Sequence, residues 1–195
     1  MHRLFLILAL VLAASPAAAQ NSAFCQELWL SRNTVMDQAG QCFQTPLGQA
    51  VFDNSDCVPG DIRLNPLDAE IVRMAREMEV WAECRVDTNA ERLDEGALPF
   101  RARLMELLNV PVRGDSEHGC GGYNGLAIAL HAGMSNSTTV LGMLEPGQGF
   151  SLAHQRMRGG WEYLEVSASD GAPVAHGWTQ DAPVNMGDAC DFFAG

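Results

Sequence analysis

The sequence predicts an α+β protein: a disulfide-stapled small helical domain followed by a small β domain, a barrel or a sandwich. Three observations carry this expectation. Apolar residues recur at helical spacing through the first half. From about residue 119 the period shortens to brief strand-like runs separated by turn residues. Six cysteines are spread along the chain, and an even count in an exported protein reads as a disulfide framework.

Export is read from the N-terminus. Met1-His2-Arg3 is a short basic start, Leu4 to Ala14 is unbroken and apolar, and Ala17-Ala18-Ala19 follows Ser15-Pro16. These are the parts of a signal peptide over residues 1–19, with Gln20 as the new N-terminus. The apolar run of 11 residues rises only ~16 Å as a helix, against ~30 Å of bilayer core. No membrane insertion is therefore expected after cleavage, and the location is periplasmic or secreted.

The chain of 195 residues carries 12 basic and 24 acidic residues, a net charge of −12. Every basic residue is arginine. That acidity argues against nucleic acid, whose binding runs on cations releasing counterions. It argues equally against an electrostatic grip on anionic lipid. An apolar share of 47% is ample for a packed core.

The helical domain is placed at residues 20–112. Phe24, Leu28, Val35 and Ala39 form a stripe, with Ser22 as N-cap and Gly40 at the end. Thr45 caps and Pro46 starts a short helix through Phe52. Asn65-Pro66 opens the strongest helix, whose stripe of Leu67, Ile71, Met74, Met78 and Trp81 runs to about Cys84. Its methionines and Trp81 read as core. A further helix is expected over Pro99–Leu108, and Asn109–Gly119 reads as a linker.

The β domain is placed at residues 119–195. Five short strands are expected over Leu126–Leu130, Thr139–Leu144, Gln148–His154, Trp161–Val166 and Val174–Thr179. Ala132-Gly133, Glu145-Pro146-Gly147, Arg158-Gly159-Gly160 and Asp170-Gly171 punctuate them.

Six cysteines allow fifteen pairings, and order along the chain suggests one. Cys42 and Cys57 bracket a short loop-rich piece, and Cys120 and Cys190 bracket the last domain. That leaves Cys25 with Cys84. Zinc is disfavoured because no C-x-x-C occurs and His131, His154 and His176 are scattered, whereas structural zinc uses closely spaced ligands. No metal and no cofactor are expected.

Two resemblances add to this reading. The stretch 124–182 resembles a bacterial SH3-like domain. It does so through Leu126–Leu130, Gly133 with Ser135, Val140-Leu141-Gly142-Met143-Leu144-Glu145-Pro146-Gly147, Gly160-Trp161-Glu162-Tyr163-Leu164-Glu165-Val166 and Gly177-Trp178. Ile128-Ala129-Leu130-His131-Ala132 departs from the usual first strand. The resemblance implies an SH3-like β-barrel, a non-catalytic role beside cell-wall enzymes or envelope proteins, and structural roles for Trp161 and Trp178. The first half resembles the extracellular YARHG family through Glu27-Leu28-Trp29-Leu30-Ser31-Arg32-Asn33 and Gly40-Gln41-Cys42-Phe43. Met36-Asp37-Gln38-Ala39 replaces most of that family's namesake residues. This resemblance implies architecture and no reaction.

The functional expectation is a non-catalytic exported envelope module that binds cell wall (peptidoglycan) or a periplasmic protein. Its candidate contacts are His131, Asn136, His154, Arg156 and Arg158, with the two arginines facing a carboxylate. Arg32 and Asn33 read first as a helix-end salt bridge and a cap, and second as binding residues. An accessory subunit or protein inhibitor of an envelope enzyme fits the same features. A hydrolase is the last alternative: no G-x-S-x-G, H-E-x-x-H or phosphate loop occurs.

Overall fold

The computed structural model describes residues 22–93, 118–154, 160–183 and 186–194. The expected signal peptide, the helix expected over Pro99–Leu108, most of the expected linker, Arg156 and Arg158 lie outside the described residues.

The first half is a helical unit. Helix α1 is Ala23–Gln38, α2 is Pro46–Val51 and α3 is Pro66–Trp81. The caps follow the sequence. Ser22 Oγ accepts from Cys25 N–H, Thr45 from Gly48 N–H, and Asn65 from Leu67 and Asp68 N–H. Each satisfies backbone donors that a helix start leaves without an intrahelical partner.

Helix α1 is buried almost all round from Cys25 to Ser31, not along one stripe. Leu28 and Val35 pack on Ile71, Val72 and Ala75 of α3. Trp29 and Leu30 pack on Leu47 of α2 and on Leu93. A helix with neighbours on every side needs no polar face, so its stripe was only part of the signal. The expected core role of Trp81 is corrected: the ring is 58% exposed at the end of α3. The buried face of α3 is set by Ile71, Val72 and Ala75, while Met74 and Met78 are partly buried beside it.

Beyond the helices a seven-stranded sheet runs in the order β3-β2-β6-β5-β4-β1-β7. Its strands are β1 His118–Tyr123, β2 Ile128–His131, β3 Val140–Leu144, β4 Gly149–Leu152, β5 Glu162–Ser167, β6 Pro173–Thr179 and β7 Cys190–Ala194. A single turn, α4 (Met186–Ala189), precedes β7. The sheet is open, with β3 and β7 at its edges, which corrects the expected closed barrel. Strands β1 and β7 were not expected from sequence, and they extend the sheet instead of closing it.

Register separates the faces. In β5 and β6, Leu164 lies opposite Gly177 and Val166 opposite Ala175, while Tyr163 lies opposite Trp178 and Glu165 opposite His176. Leu164 and Val166 join Ile128, Leu130, Leu144, Phe150 and Tyr123 in the main core. Burying each such side chain stabilises by about 1.5–3 kcal/mol. On the other face Trp161, Tyr163 and Trp178 form a second cluster, as expected for the two tryptophans. Strand β3 passes close to β6: a Cβ on Gly142 would sit 2.6 Å from that of Ala175. Only glycine permits that approach.

Three disulfides staple the molecule: Cys25–Cys84, Cys42–Cys57 and Cys120–Cys190. These are the pairs suggested by order along the chain. The first ties α1 to the turn after α3, and the third joins β1 to β7. Among the described residues no helix is long and apolar enough to cross a membrane.

Candidate functional site

The sheet face that carries Glu165 and His176 also carries a groove of about 700 Å³. Its floor is glycine-rich because Gly119 and Gly121 of β1 lie there. A Cβ on Gly121 would fall 1.9 Å from the Phe192 ring. The missing side chain is what lets that ring lie across the floor. Ser151, Glu165, Ser167 and His176 line the middle, and Asp191, Phe192 and Ala194 line the side formed by β7.

Strand β7 is the edge of the sheet on this side and, among the described residues, pairs with β1 alone, through Gly119↔Ala194 to Tyr123↔Cys190. Phe192 is 71% and Phe193 55% exposed. Edge strands are normally blunted by charge or proline. By register Phe192 shares the face of Gly121 and Phe193 that of Cys120, and of the two rings Phe192 lines the groove. The carboxyl side chains of the groove are Glu165 and Asp191, and among the described residues no arginine lines it.

Beside the groove is a buried polar cluster. His154, just beyond β4, has its side chain 1% exposed, and its Nε2 lies 3.1 Å from Glu27 Oε1 of α1. Its Nδ1 lies 3.3 Å from Glu165 Oε1 of β5. The His154 ring stands edge-on to Tyr163, with centroids 4.7 Å apart. Tyr163 Oη is 3.1 Å from His176 Nδ1. Thus α1 meets the sheet through buried polar side chains, and Glu165 belongs both to this cluster and to the groove.

The candidate binding residues divide accordingly. His154 is inside the cluster and not on a loop tip. His131 is also buried: its Nδ1 lies 3.3 Å from Thr138 O and its ring is edge-on to Trp161. Asn136 is exposed and is not part of the groove lining. Arg32 lies within α1, not at its end, and its guanidinium binds Glu79 of α3 at 3.0 and 3.2 Å. Asn33 caps nothing; its Nδ2 donates to Trp29 O at 2.8 Å, a bond back along the helix. Glu27, Tyr163, Glu165 and His176 were missed as site residues. Glu27 and His154 are 127 residues apart, and no local spacing announces such a pair. Alternation in β5 placed Tyr163 and Glu165 on one face, which was the one available signal.

A family model described as "Domain of unknown function (DUF4453)" matches residues 83–195. The chain belongs to this family. A YARHG domain model matches residues 3–80, in agreement with the resemblance of the first half. The DUF4453 match covers the sheet and everything that lines the groove, and the match there is to this family and not to an SH3 domain. No curated protein and no solved structure matches the chain. Disulfide Cys25–Cys84 and the Glu27–His154 contact both link the YARHG match to the DUF4453 match. The YARHG match and the disulfides are consistent with an extracellular or secreted protein.

Proposed function

We propose that the chain is a non-catalytic module of the bacterial envelope, exported to the periplasm or beyond, that holds an extended ligand in the groove along β7. The ligand is cell wall or a periplasmic protein partner. One observation carries this reading: an exposed aromatic edge strand flanks a glycine-floored groove on a disulfide-held part of the sheet. An extended chain laid there gains main-chain hydrogen bonds from the edge and side-chain contacts from Phe192. The acidic lining favours a segment bearing amines or amide N–H groups over one bearing carboxylates.

Co-sedimentation of the purified, oxidised chain with peptidoglycan sacculi, at two salt concentrations, tests it. Saturable pelleting is expected, with a loss of about tenfold or more in Phe192→Ser/Phe193→Ser, the scale of an aromatic anchor. No pelleting at either salt would remove the wall as ligand. Cross-linking in the envelope would then decide whether the groove serves an accessory subunit or an inhibitor.

A further inference from the structure

We propose that Glu27, His154 and Glu165 form a site for one divalent ion of the zinc class, tying α1 to the sheet. The three residues come from different parts of the chain, and their donor atoms lie within 4.8 Å of one another. One spacing, 3.1 Å from His154 Nε2 to Glu27 Oε1, matches that of neighbouring donors around zinc, while Glu165 stands 3.3 Å from the other ring nitrogen, Nδ1. With bonds of about 2.0–2.1 Å, tetrahedral neighbours stand about 3.3 Å apart. An ion on Nε2 beside Glu27 draws the Glu165 carboxylate over from Nδ1. Glu165 is the most exposed of the three, at 25%, and is the one best able to turn.

The donor set chooses the ion. One imidazole nitrogen with two carboxylate oxygens suits zinc, whereas calcium and magnesium take all-oxygen shells. The surroundings hold the ring in place. His154 is packed edge-on against Tyr163, whose hydroxyl is fixed by His176, the kind of outer support that orients metal-binding histidines. Three protein donors leave one position for water or a ligand atom. The cysteines are all in disulfides among the described residues, so no thiolate competes. The site stands whether or not the groove binds wall material.

The test is a zinc titration of the chelator-stripped, oxidised full chain in competition with a chromophoric chelator. One equivalent should bind, undisturbed by excess calcium or magnesium. His154→Ala and Glu165→Gln should each weaken it by at least about 10–100-fold. His118→Ala, at an exposed histidine on β1, should leave it unchanged. Zinc should also raise the melting temperature of the wild type and not that of Glu165→Gln. X-ray absorption on the zinc-loaded wild type needs no variant to fold, and should show an oxygen and nitrogen shell with a single imidazole. Absence of a stoichiometric site, binding undiminished in both variants, or a shell of sulfur or several imidazoles would each overturn the proposal.

Discussion

The two halves of the molecule are held together by different means. In the helical half the apolar clusters are small and split by α1: one lies against α3 and the other against α2 and Leu93. Disulfides Cys25–Cys84 and Cys42–Cys57 belong to this region. In the sheet half one continuous core fills a face, from Tyr123 and Ile128 to Val166 and Ala175, and the disulfide sits at the edge between β1 and β7. Where apolar burial is divided, covalent links must limit the unfolded chain. The opposite face divides between the Trp161, Tyr163 and Trp178 cluster and the polar groups and groove.

This contrast predicts where each half fails. Trp178 is 1% exposed, so Trp178→Ala should give the largest loss, about 3–5 kcal/mol by chemical denaturation. Next comes the pair Cys25→Ser/Cys84→Ser, about 2–4 kcal/mol. Hydrogen exchange should then show α1 and α3 losing protection while β5 and β6 keep theirs; equal loss in both halves would break the comparison. A double-mutant cycle on Arg32 and Glu79, both partly buried, should return a coupling of about 1 kcal/mol.

The smallest effect concerns Asp37, near the end of α1. Burial first, then the charges of Asp56 and Asp53, push its carboxyl above the usual range. A raised acid holds its proton longer folded than unfolded. Its penalty is therefore absent at low pH, and stability falls as pH rises from the ordinary carboxylate range through its folded pKa. Asp37→Asn should melt slightly higher than wild type at neutral pH and no higher in strong acid. A variant that melts lower at pH 7 would show that the carboxylate is favourably held.

The legible parts of the sequence were those whose cause is local. Ser22, Thr45 and Asn65-Pro66 mark helix starts because capping acts within three residues. The strands through Leu164 and Ala175 were visible as short apolar runs between turns. The chain order of the cysteines suggested the pairs that the structure shows. Strands β1 and β7 were not legible. The expected linker ran through Gly119 and no strand was expected before Leu126; the extended form of His118–Tyr123 comes from pairing with other strands, as Cys120 does with Phe150 and Phe193. The sheet was therefore expected to be smaller and closed. The Glu27–His154–Glu165 cluster was invisible for the same reason, since its geometry exists only after α1 packs on the sheet. Ligand contacts were sought on loops because loops carry most exposed polar residues, whereas both candidate histidines with described positions turned out to be buried.

The central claim is that binding belongs to the β7 side of the sheet and not to the helical half. Hydrogen exchange of the oxidised chain, with and without saturating soluble peptidoglycan fragments, addresses it most directly. The account predicts added protection in β1 and β7, around Gly121 and Phe192, with α3 unchanged. Protection confined to α1 and α3, with β7 unaffected, would contradict it.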